Sequence, residues 1–363
     1  MSVFRSNDNV YFGKGITREA MGAIFDYGKH QRPLMLYDSK IDLGELLSID
    51  YSGMIALDCS SEPTYSDLAR IMKQLQPMWL RRKWDLVIGV GGGSALDIAK
   101  AVAVLLTNEG PPTYFKGFDK VTVPGIPVLA IPTTLSGSEA TNNASFIDTE
   151  TKTKMGINGR HMFAEYSILD SKWLPAEDSK PFVSTFLDAV THAYEASICV
   201  QGNEMTRYMA ERALAYLFHE DMTQKQVAAH NAAQALCNSG SGIAGAISYP
   251  LGVHYGVPHG IAGGIFLPDV MRFNKSDKNV IEAVDQYLRH HGVSLMLSDY
   301  GVGSVDELHE LIKPLQGAFD QNPNKFDADK DGRALIERHW GETEANQEPP
   351  GDGNAPPVVR RKK

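Results

Sequence analysis

The chain has few cysteines, no long apolar run and no excess of basic residues. Cys59, Cys199 and Cys237 are scattered among 363 residues and form no pair motif, which is typical of a reducing compartment. No stretch reaches the ~18–20 apolar residues that a membrane span needs. The N-terminus also lacks the apolar core of a secretory signal peptide. The sequence therefore predicts a soluble, cytoplasmic protein without a membrane partner.

The charge balance is acidic, because 44 aspartates and glutamates outnumber 35 lysines and arginines and give a net charge of −9. A nucleic acid is therefore not expected as the main partner. The composition, 43% hydrophobic and 22% charged, is that of an ordinary globular protein. The length suffices for two domains.

The most informative stretch spans residues 84–106. A β-branched apolar run at 84–90 is typical of a buried parallel strand, and apolar residues from Leu96 onwards recur at helical spacing. Between them lies Gly-Gly-Gly-Ser, at 91–94. A strand, a glycine-rich turn and a helix together present free backbone N–H groups to a phosphate. This pattern predicts a phosphate or dinucleotide site; the alternative is a turn that only reverses the chain.

Two more turns follow predicted strands. Asp38 ends the apolar strand 33–37, at a position where a carboxylate commonly holds ribose hydroxyls, although a solvated turn aspartate is the alternative. The strand 126–131 runs into a hydroxyl-rich turn at 132–139. Alternating strands and helices predict an α/β domain with a parallel sheet and ligands at the carboxyl ends of its strands.

The pattern changes near residue 180, where strand-like runs stop and helical periodicity continues. We therefore predict an α/β dinucleotide-binding domain at 1–179 and an all-α domain, for metal and substrate, at 180–341. The tail 342–363 is rich in proline and glycine and poor in apolar residues, so we predict that it is disordered.

Three residues of the second domain could hold a metal ion. Asp188 and His192 are four residues apart on one predicted helix and leave it from the same face. His259 stands in a Pro-His-Gly turn. One carboxylate and two imidazoles suit Fe(II) or Zn(II), although each residue alone could equally be structural.

These segments resemble the iron-dependent (group III) alcohol dehydrogenases. The resemblance runs in order from about Val10 to Trp340. The segments that carry it are 12–15, 91–94 with Asp97 and Lys100, 132–139, 188–196, 258–260 and 267–274.

The resemblance implies an NAD(P)-binding α/β domain and a helical domain, with the cofactor and a metal in the cleft between them. NAD is expected over NADP, since the charge of Asp38 would repel a 2′-phosphate. The family's metal ligands are matched by Asp188, His192 and His259. Its cofactor contacts are matched by Asp38, Gly92, Gly93, Ser94, Thr133, Thr134 and Lys154, and we add Asp97 from the same motif.

The chain departs from the family pattern at the fourth metal ligand. That ligand is a histidine fourteen positions before His259, where this chain has Gly245. Four positions later, many members carry a histidine implicated in proton relay, where this chain has Tyr249. We therefore expect a gap beside the three remaining ligands and weak retention of metal. Tyr249 and His254 are the candidate catalytic residues, as proton relays.

The sequence thus predicts an NAD(P)-dependent alcohol dehydrogenase or aldehyde reductase. It would interconvert a small primary alcohol and an aldehyde by hydride transfer, assisted by Fe(II) or Zn(II), and act as a homodimer. Two alternatives stay open: a metal-independent reductase of the same fold, and a catalytically silent nucleotide-binding homologue.

Overall fold

A computed structural model of the chain describes residues 3–25 and 30–340. Within these residues, strands and helices are mixed up to residue 170, and helices then follow one another. The strands are β1 (Asn9–Gly13), β2 (Pro33–Asp38), β3 (Gly53–Leu57), β4 (Leu86–Gly91), β5 (Gly117–Phe118), β6 (Val128–Pro132), β7 (Asn143–Ala144), β8 (Ile147–Asp148), β9 (Thr153–Lys154), β10 (Ile157–Asn158) and β11 (Tyr166–Asp170). The α-helices are α1 (Thr17–Phe25), α2 (Tyr65–Arg82), α3 (Gly93–Leu105), α4 (Lys180–Ile198), α5 (Glu204–Leu217), α6 (Met222–Cys237), α7 (Ile243–Tyr255), α8 (His259–Phe273), α9 (Lys278–His290), α10 (Val305–Ile312), α11 (Gln316–Phe319) and α12 (Lys330–Arg338).

The main sheet is parallel throughout, with the strand order β1-β11-β6-β4-β2-β3. All residues of the central strands β4 and β6 are buried, which explains their continuous apolar sequences. Because the strands run in one direction, Asp38, Gly91 and Pro132 end at the same edge of the sheet. Ligands bind at this edge in parallel α/β sheets.

Helices cover both faces of the main sheet, as alternate residues of β2 show. Leu34 and Leu36 pack in one core with α2 and α3, whereas Met35 packs on the other face with α1. Successive side chains of a strand point to opposite faces, so each face of the sheet needs its own layer of helices. The predicted α/β fold of the N-terminal part is confirmed.

Helix α4 lies at the centre of the C-terminal part, in which the described residues form no strand. It begins at Lys180, and the Ser179 hydroxyl caps it by accepting the Phe182 N–H at 3.4 Å. Its buried residues pack in the largest core against α5, α6 and α8. The prediction of an all-α C-terminal part is also confirmed.

Two helices of this part contain an internal proline. Segments 243–255 and 259–273 form α7 and α8 although Pro250 and Pro268 lie inside them. Proline removes one backbone hydrogen bond and usually breaks a helix. Here burial in the core stabilises both helices, since most residues of each are buried. Tertiary packing has overridden local propensity.

The domain limits at 1–179 and 180–341 stay predictions. The tail 342–363, predicted to be disordered, lies outside the described residues. No described helix is both long enough and apolar enough to cross a membrane.

Candidate active site

The structure brings the three predicted metal ligands together. Asp188 and His192 lie one turn apart on α4, and His259 is the first residue of α8. Asp188 Oδ1 is 3.3 Å from His192 Nε2 and 3.7 Å from His259 Nε2. One ligand atom from each residue lies within 4.8 Å of the others. An oxygen and two nitrogens at this spacing can surround one divalent cation.

Gly260 explains how α8 comes so close to α4. A Cβ added at Gly260 would lie 1.8 Å from the Ser184 carbonyl oxygen and 2.9 Å from Asp188 Cβ. Only glycine therefore allows the start of α8 to touch α4 at this point. The close contact brings His259 beside Asp188, and His259 is the start of a helix rather than part of a turn as predicted.

Ser248 fixes the proton on His259. Its hydroxyl donates to the Gly245 carbonyl at 2.5 Å, so it can only accept from His259 Nδ1, which lies 2.8 Å away. With the proton on Nδ1, His259 Nε2 carries a lone pair, lies 3.7 Å from Asp188 Oδ1 and is free to bind a metal. Hydrogen bonds of this kind commonly orient histidine ligands.

The electrostatics of the site also suit a cation. Burial, together with the charges of Lys154 and His192, holds the pKa of His259 well below its ordinary value, so the imidazole is neutral at pH 7. Burial raises the pKa of Asp188, against the opposing effect of His192 and Lys154. A divalent cation would supply the countercharge that this buried carboxylate needs.

The gap expected at Gly245 is filled. Glu195, one turn beyond the ligands on α4, is buried and accepts hydrogen bonds from Gly242 N–H (2.7 Å), Gly245 N–H (3.0 Å) and the Ser241 hydroxyl (3.0 Å). A Cβ added at Gly245 would lie 2.3 Å from Ser241 Oγ and 2.7 Å from Glu195 Oε2. The Glu195 carboxylate thus caps the start of α7 and occupies the space beside Gly245.

The two candidate proton relays differ in position. The ring centroid of Tyr249 lies 5.3 Å from that of His259, beside the ligands, and burial raises the pKa of its phenol. His254 is exposed, and its ring lies against Tyr255, 6.4 Å between centroids. Of these two residues, only Tyr249 therefore lies next to a candidate metal ligand.

Lys154 lies beside Tyr249 and pairs with Glu62. Its Nζ is 5.3 Å from the ring centroid of Tyr249 and donates to Glu62 Oε1 at 2.8 Å. Sequence reasoning did not select Glu62. The Glu-Pro-Thr segment marks the start of α2, and nothing in it reveals that the glutamate side chain reaches the cleft.

The glycine-rich turn forms a cradle at the edge of the main sheet. Helix α3 begins at Gly93 with Gly92 as its N-cap, so Ser94 lies in the first turn and does not cap it. Added Cβ atoms at Gly92 and Gly93 would lie 3.3 Å from Thr134 Cγ2 and 3.2 Å from Ser136 Oγ. Thr134 Oγ1 and Ser136 Oγ are buried without a partner among the described residues. Free hydroxyls beside a helix N-terminus fit the phosphates of a dinucleotide.

Asp38 and Thr133 border this cradle. A Cβ added at Gly91 would lie 3.1 Å from Asp38 Cβ, so the aspartate stands directly beside the turn. The Thr133 N–H donates to the Gly91 carbonyl at 2.9 Å and ties the two turns together. A carboxylate at this place could accept hydrogen bonds from ribose hydroxyls.

The side chains of Asp97 and Lys100 form hydrogen bonds with the hydroxyl-rich turn and the residues that follow it. Asp97 accepts the Ser138 hydroxyl at 2.5 Å and the Ser145 N–H at 2.8 Å, so both of its oxygens are engaged. Lys100 is buried and donates to the carbonyls of Ser138 (2.6 Å) and Asn143. These contacts stabilise the hydroxyl-rich turn. The predicted cofactor contact of Asp97 stays a prediction.

One hydrogen bond connects the cradle to the candidate metal site. The Leu135 N–H, in the hydroxyl-rich turn, donates to Thr185 Oγ1 at 3.2 Å. Thr185 precedes Asp188 by three residues on α4, so the turn and the ligands are held one helical turn apart. A dinucleotide in the cradle and a cation at the ligands would therefore lie near one another.

The known proteins that this chain matches agree with this arrangement. Residues 7–171 match the family described as iron-containing alcohol dehydrogenase, and residues 182–318 match the C-terminal domain of the Fe-containing alcohol dehydrogenase family. The two segments follow one another along the chain. They cover the cradle and the three candidate ligands.

Individual relatives are alcohol dehydrogenases and aldehyde reductases. The chain is 29% identical over 276 residues to the probable alcohol dehydrogenase EutG of Escherichia coli, covering 67% of this chain and 69% of that protein. It is 26% identical over 300 residues to the lactaldehyde reductase of the same species, covering 74% of each. The crystal structure of sulfoacetaldehyde reductase from Bifidobacterium kashiwanohense in complex with NAD+ has a TM-score of 0.82. That structure is 19% identical, covers 94% of this chain and 100% of its own, and so shows the fold alone.

The predicted enzyme class, an alcohol dehydrogenase or aldehyde reductase, is confirmed by these relatives. The family description and the paired segments of the match agree with the fold and with the Asp/His cluster. The chain belongs to the iron-containing alcohol dehydrogenase family.

Proposed function

We propose that this enzyme reduces small aldehydes, or oxidises the corresponding primary alcohols, with NAD and one divalent metal ion held by Asp188, His192 and His259. The observation that carries the proposal is the convergence of these side chains, with the lone pair of His259 Nε2 set free by Ser248. Fe(II) and Zn(II) both accept such ligands. When bound, the cation would polarise the substrate oxygen as a Lewis acid.

The protein itself would bind and orient the dinucleotide. We assign the pyrophosphate to the turn that contains Gly92, Gly93 and Ser94, with the free hydroxyl of Thr134 opposite and Thr133 tying the two turns together. Asp38 would accept the ribose hydroxyls and disfavour a 2′-phosphate, so NAD is preferred to NADP.

Tyr249 is the candidate proton donor. Its raised pKa keeps the phenol protonated at neutral pH, so it can donate its proton to the substrate oxygen in the reducing direction, and the resulting phenolate would take the proton back in the oxidising direction. We propose Lys154 as a contact for the nicotinamide end of the cofactor, since it lies against Tyr249. His254, which is exposed, is the second candidate relay.

A metal-independent reductase of the same fold is the second candidate. The observation in its favour is that Gly245 supplies no fourth ligand and that Glu195 fills the neighbouring space. The two candidates differ in what removal of metal does to turnover.

We also propose a cytoplasmic homodimer. Strand β1 forms one edge of the main sheet and carries Phe12, of which 63% is exposed, so the edge is open to pairing with a second chain. The cysteines Cys59, Cys199 and Cys237 are free, as expected in a reducing compartment. Light scattering would test the dimer.

The experiment that tests the proposed function measures NADH and NADPH oxidation with a panel of small aldehydes. The protein is treated with a chelator and assayed before and after anaerobic addition of Fe(II) or Zn(II), with His192→Ala as the ligand variant. We expect turnover with NADH that returns with metal and is lost in the variant. Full turnover without metal would favour the second candidate, and no turnover under any condition would favour a silent homologue.

A further inference from the structure

Glu62 reaches the cleft from the turn before α2. Its Oε1 accepts a hydrogen bond from Lys154 Nζ at 2.8 Å, and Lys154 in turn lies against Tyr249, next to His259. Glu62 is therefore linked to the candidate metal ligand His259 through Lys154 and Tyr249.

The backbone holds the Glu62–Lys154 pair in place. The Pro63 carbonyl accepts the Ile147 N–H at 2.9 Å, and Ile147 in β8 pairs with Lys154 in β9. Thr64 caps α2 and exchanges hydrogen bonds with Asp67. Both residues of the pair are therefore held by backbone hydrogen bonds. The side chain of Glu62 is 27% exposed and that of Lys154 is 9% exposed, which distinguishes the pair from a mobile surface ion pair.

One oxygen of Glu62 has no partner. Oε2 is buried and makes no hydrogen bond with any described residue. Gly252 on α7 is a neighbour of Oε2 and has no side chain to cover it. Even a Cβ added at Gly252 would lie 3.9 Å from Oε2. A buried acceptor without a donor is costly, and such groups are commonly satisfied by a ligand.

We propose that Glu62 is a specificity-determining residue, whose Oε2 accepts a hydrogen bond from a neutral hydroxyl that the substrate carries beside its reacting carbon. This inference rests on the proposed function. A hydroxyl fits better than a cation, because Lys154 already balances the Glu62 charge. Anionic aldehydes are disfavoured for the same reason, since the Lys154 charge is engaged. The enzyme therefore prefers hydroxyaldehydes to both apolar and anionic aldehydes.

The test compares three aldehydes, 2-hydroxypropanal, propanal and glyoxylate, with wild type, Glu62→Gln and Glu62→Leu. We expect wild type to favour 2-hydroxypropanal over propanal in kcat/KM, and Glu62→Leu to lower this ratio by ~10- to 100-fold, because a site built to bind a hydroxyl discriminates strongly. Glu62→Gln, which keeps the shape of the side chain, should lower this ratio less than Glu62→Leu does. It should also raise kcat/KM for glyoxylate, because the charge of Lys154 is then no longer paired with a carboxylate.

Glu177→Gln is the matched control, since Glu177 pairs with Lys225 at 2.8 Å outside the cleft, and it should leave the ratio unchanged. An unchanged ratio in both Glu62 variants would overturn the inference while leaving the proposed function intact. A change confined to the KM for NADH would also overturn it, because Oε2 would then bind the cofactor. A loss of bound metal would overturn it as well, because Glu62 would then be a metal ligand. No reduction of any aldehyde by wild type would overturn the proposed function itself.

Discussion

The carboxylate of Glu195 lies where a side chain at Gly245 would begin. Glu195 Oε2 is 2.7 Å from the position of an added Cβ, and Oε1 accepts the Gly245 N–H at 3.0 Å. The missing fourth ligand is therefore not an empty place but a buried carboxylate bound to the start of α7. Restoring a histidine there would displace Glu195 from its hydrogen bonds.

We accordingly predict that Gly245→Ala lowers the free energy of unfolding by about 1–3 kcal/mol, since buried hydrogen bonds of Glu195 must break. Gly22→Ala is the control, because an added Cβ in α1 meets nothing within 4 Å, and it should stabilise by ~0.5–1 kcal/mol. Urea unfolding measures both. Equal stability of the two variants would contradict the packing described at Gly245.

Ser248→Ala should weaken metal binding by ~10- to 100-fold, because His259 Nδ1 loses the hydroxyl that fixes its proton and orientation. Ser197→Ala is the matched control, since the Ser197 hydroxyl also donates to a carbonyl three residues earlier, that of Tyr194. Anaerobic calorimetric titration with Fe(II) or Zn(II) measures the affinity. Equal affinities of both variants would show that Ser248 does not orient the ligand.

Asp38→Gly should reduce the preference for NADH over NADPH, because the carboxylate that repels a 2′-phosphate is lost. Asp38→Asn removes the charge but keeps an oxygen that can accept from the Lys40 N–H, as Asp38 does at 3.0 Å. Asp38→Asn should therefore reduce the preference for NADH while weakening the binding of NADH less than Asp38→Gly does. The ratio of kcat/KM for the two cofactors is the readout. A wild type that turns over NADPH faster would show that this role is wrongly assigned.

Asp170 should make the free energy of unfolding depend on pH in the acid range. Burial alone would raise the pKa of Asp170, but hydrogen bonds from Thr17, Gly15 and the Lys172 N–H hold it below its ordinary value. The ionised group thus stabilises the fold above its unfolded pKa of ~3.9, and this contribution disappears as the pH falls through the lower, folded value.

Asp170→Asn should therefore lower the free energy of unfolding at pH 7 by about 1–3 kcal/mol and lose this part of the acid dependence. The gap between variant and wild type should narrow as the pH falls below ~4. Asp8→Asn, an exposed change beside β1, is the control. A constant gap from pH 7 to pH 3 would contradict the assignment.

Local patterns predicted the cradle and the ligand pair on α4, because each depends on neighbouring residues. The strand, glycine turn and helix at 84–106 and the four-residue spacing of Asp188 and His192 are visible in one dimension. Glu195 and Ser248 were missed, since their roles arise only when α7 packs against α4 and α8. Nothing in the local sequence of α7 indicates that Ser248 lies against His259, which is eleven residues away in the next helix.

The measurement that tests the account most directly is a titration of chelator-treated enzyme with Fe(II) under anaerobic conditions, following bound metal and NADH-dependent aldehyde reduction together. The account predicts that activity rises in proportion to bound metal and levels off at about one ion per chain, as one Asp/His cluster among the described residues requires. Full activity before any metal is added, or bound metal without activity, would contradict it.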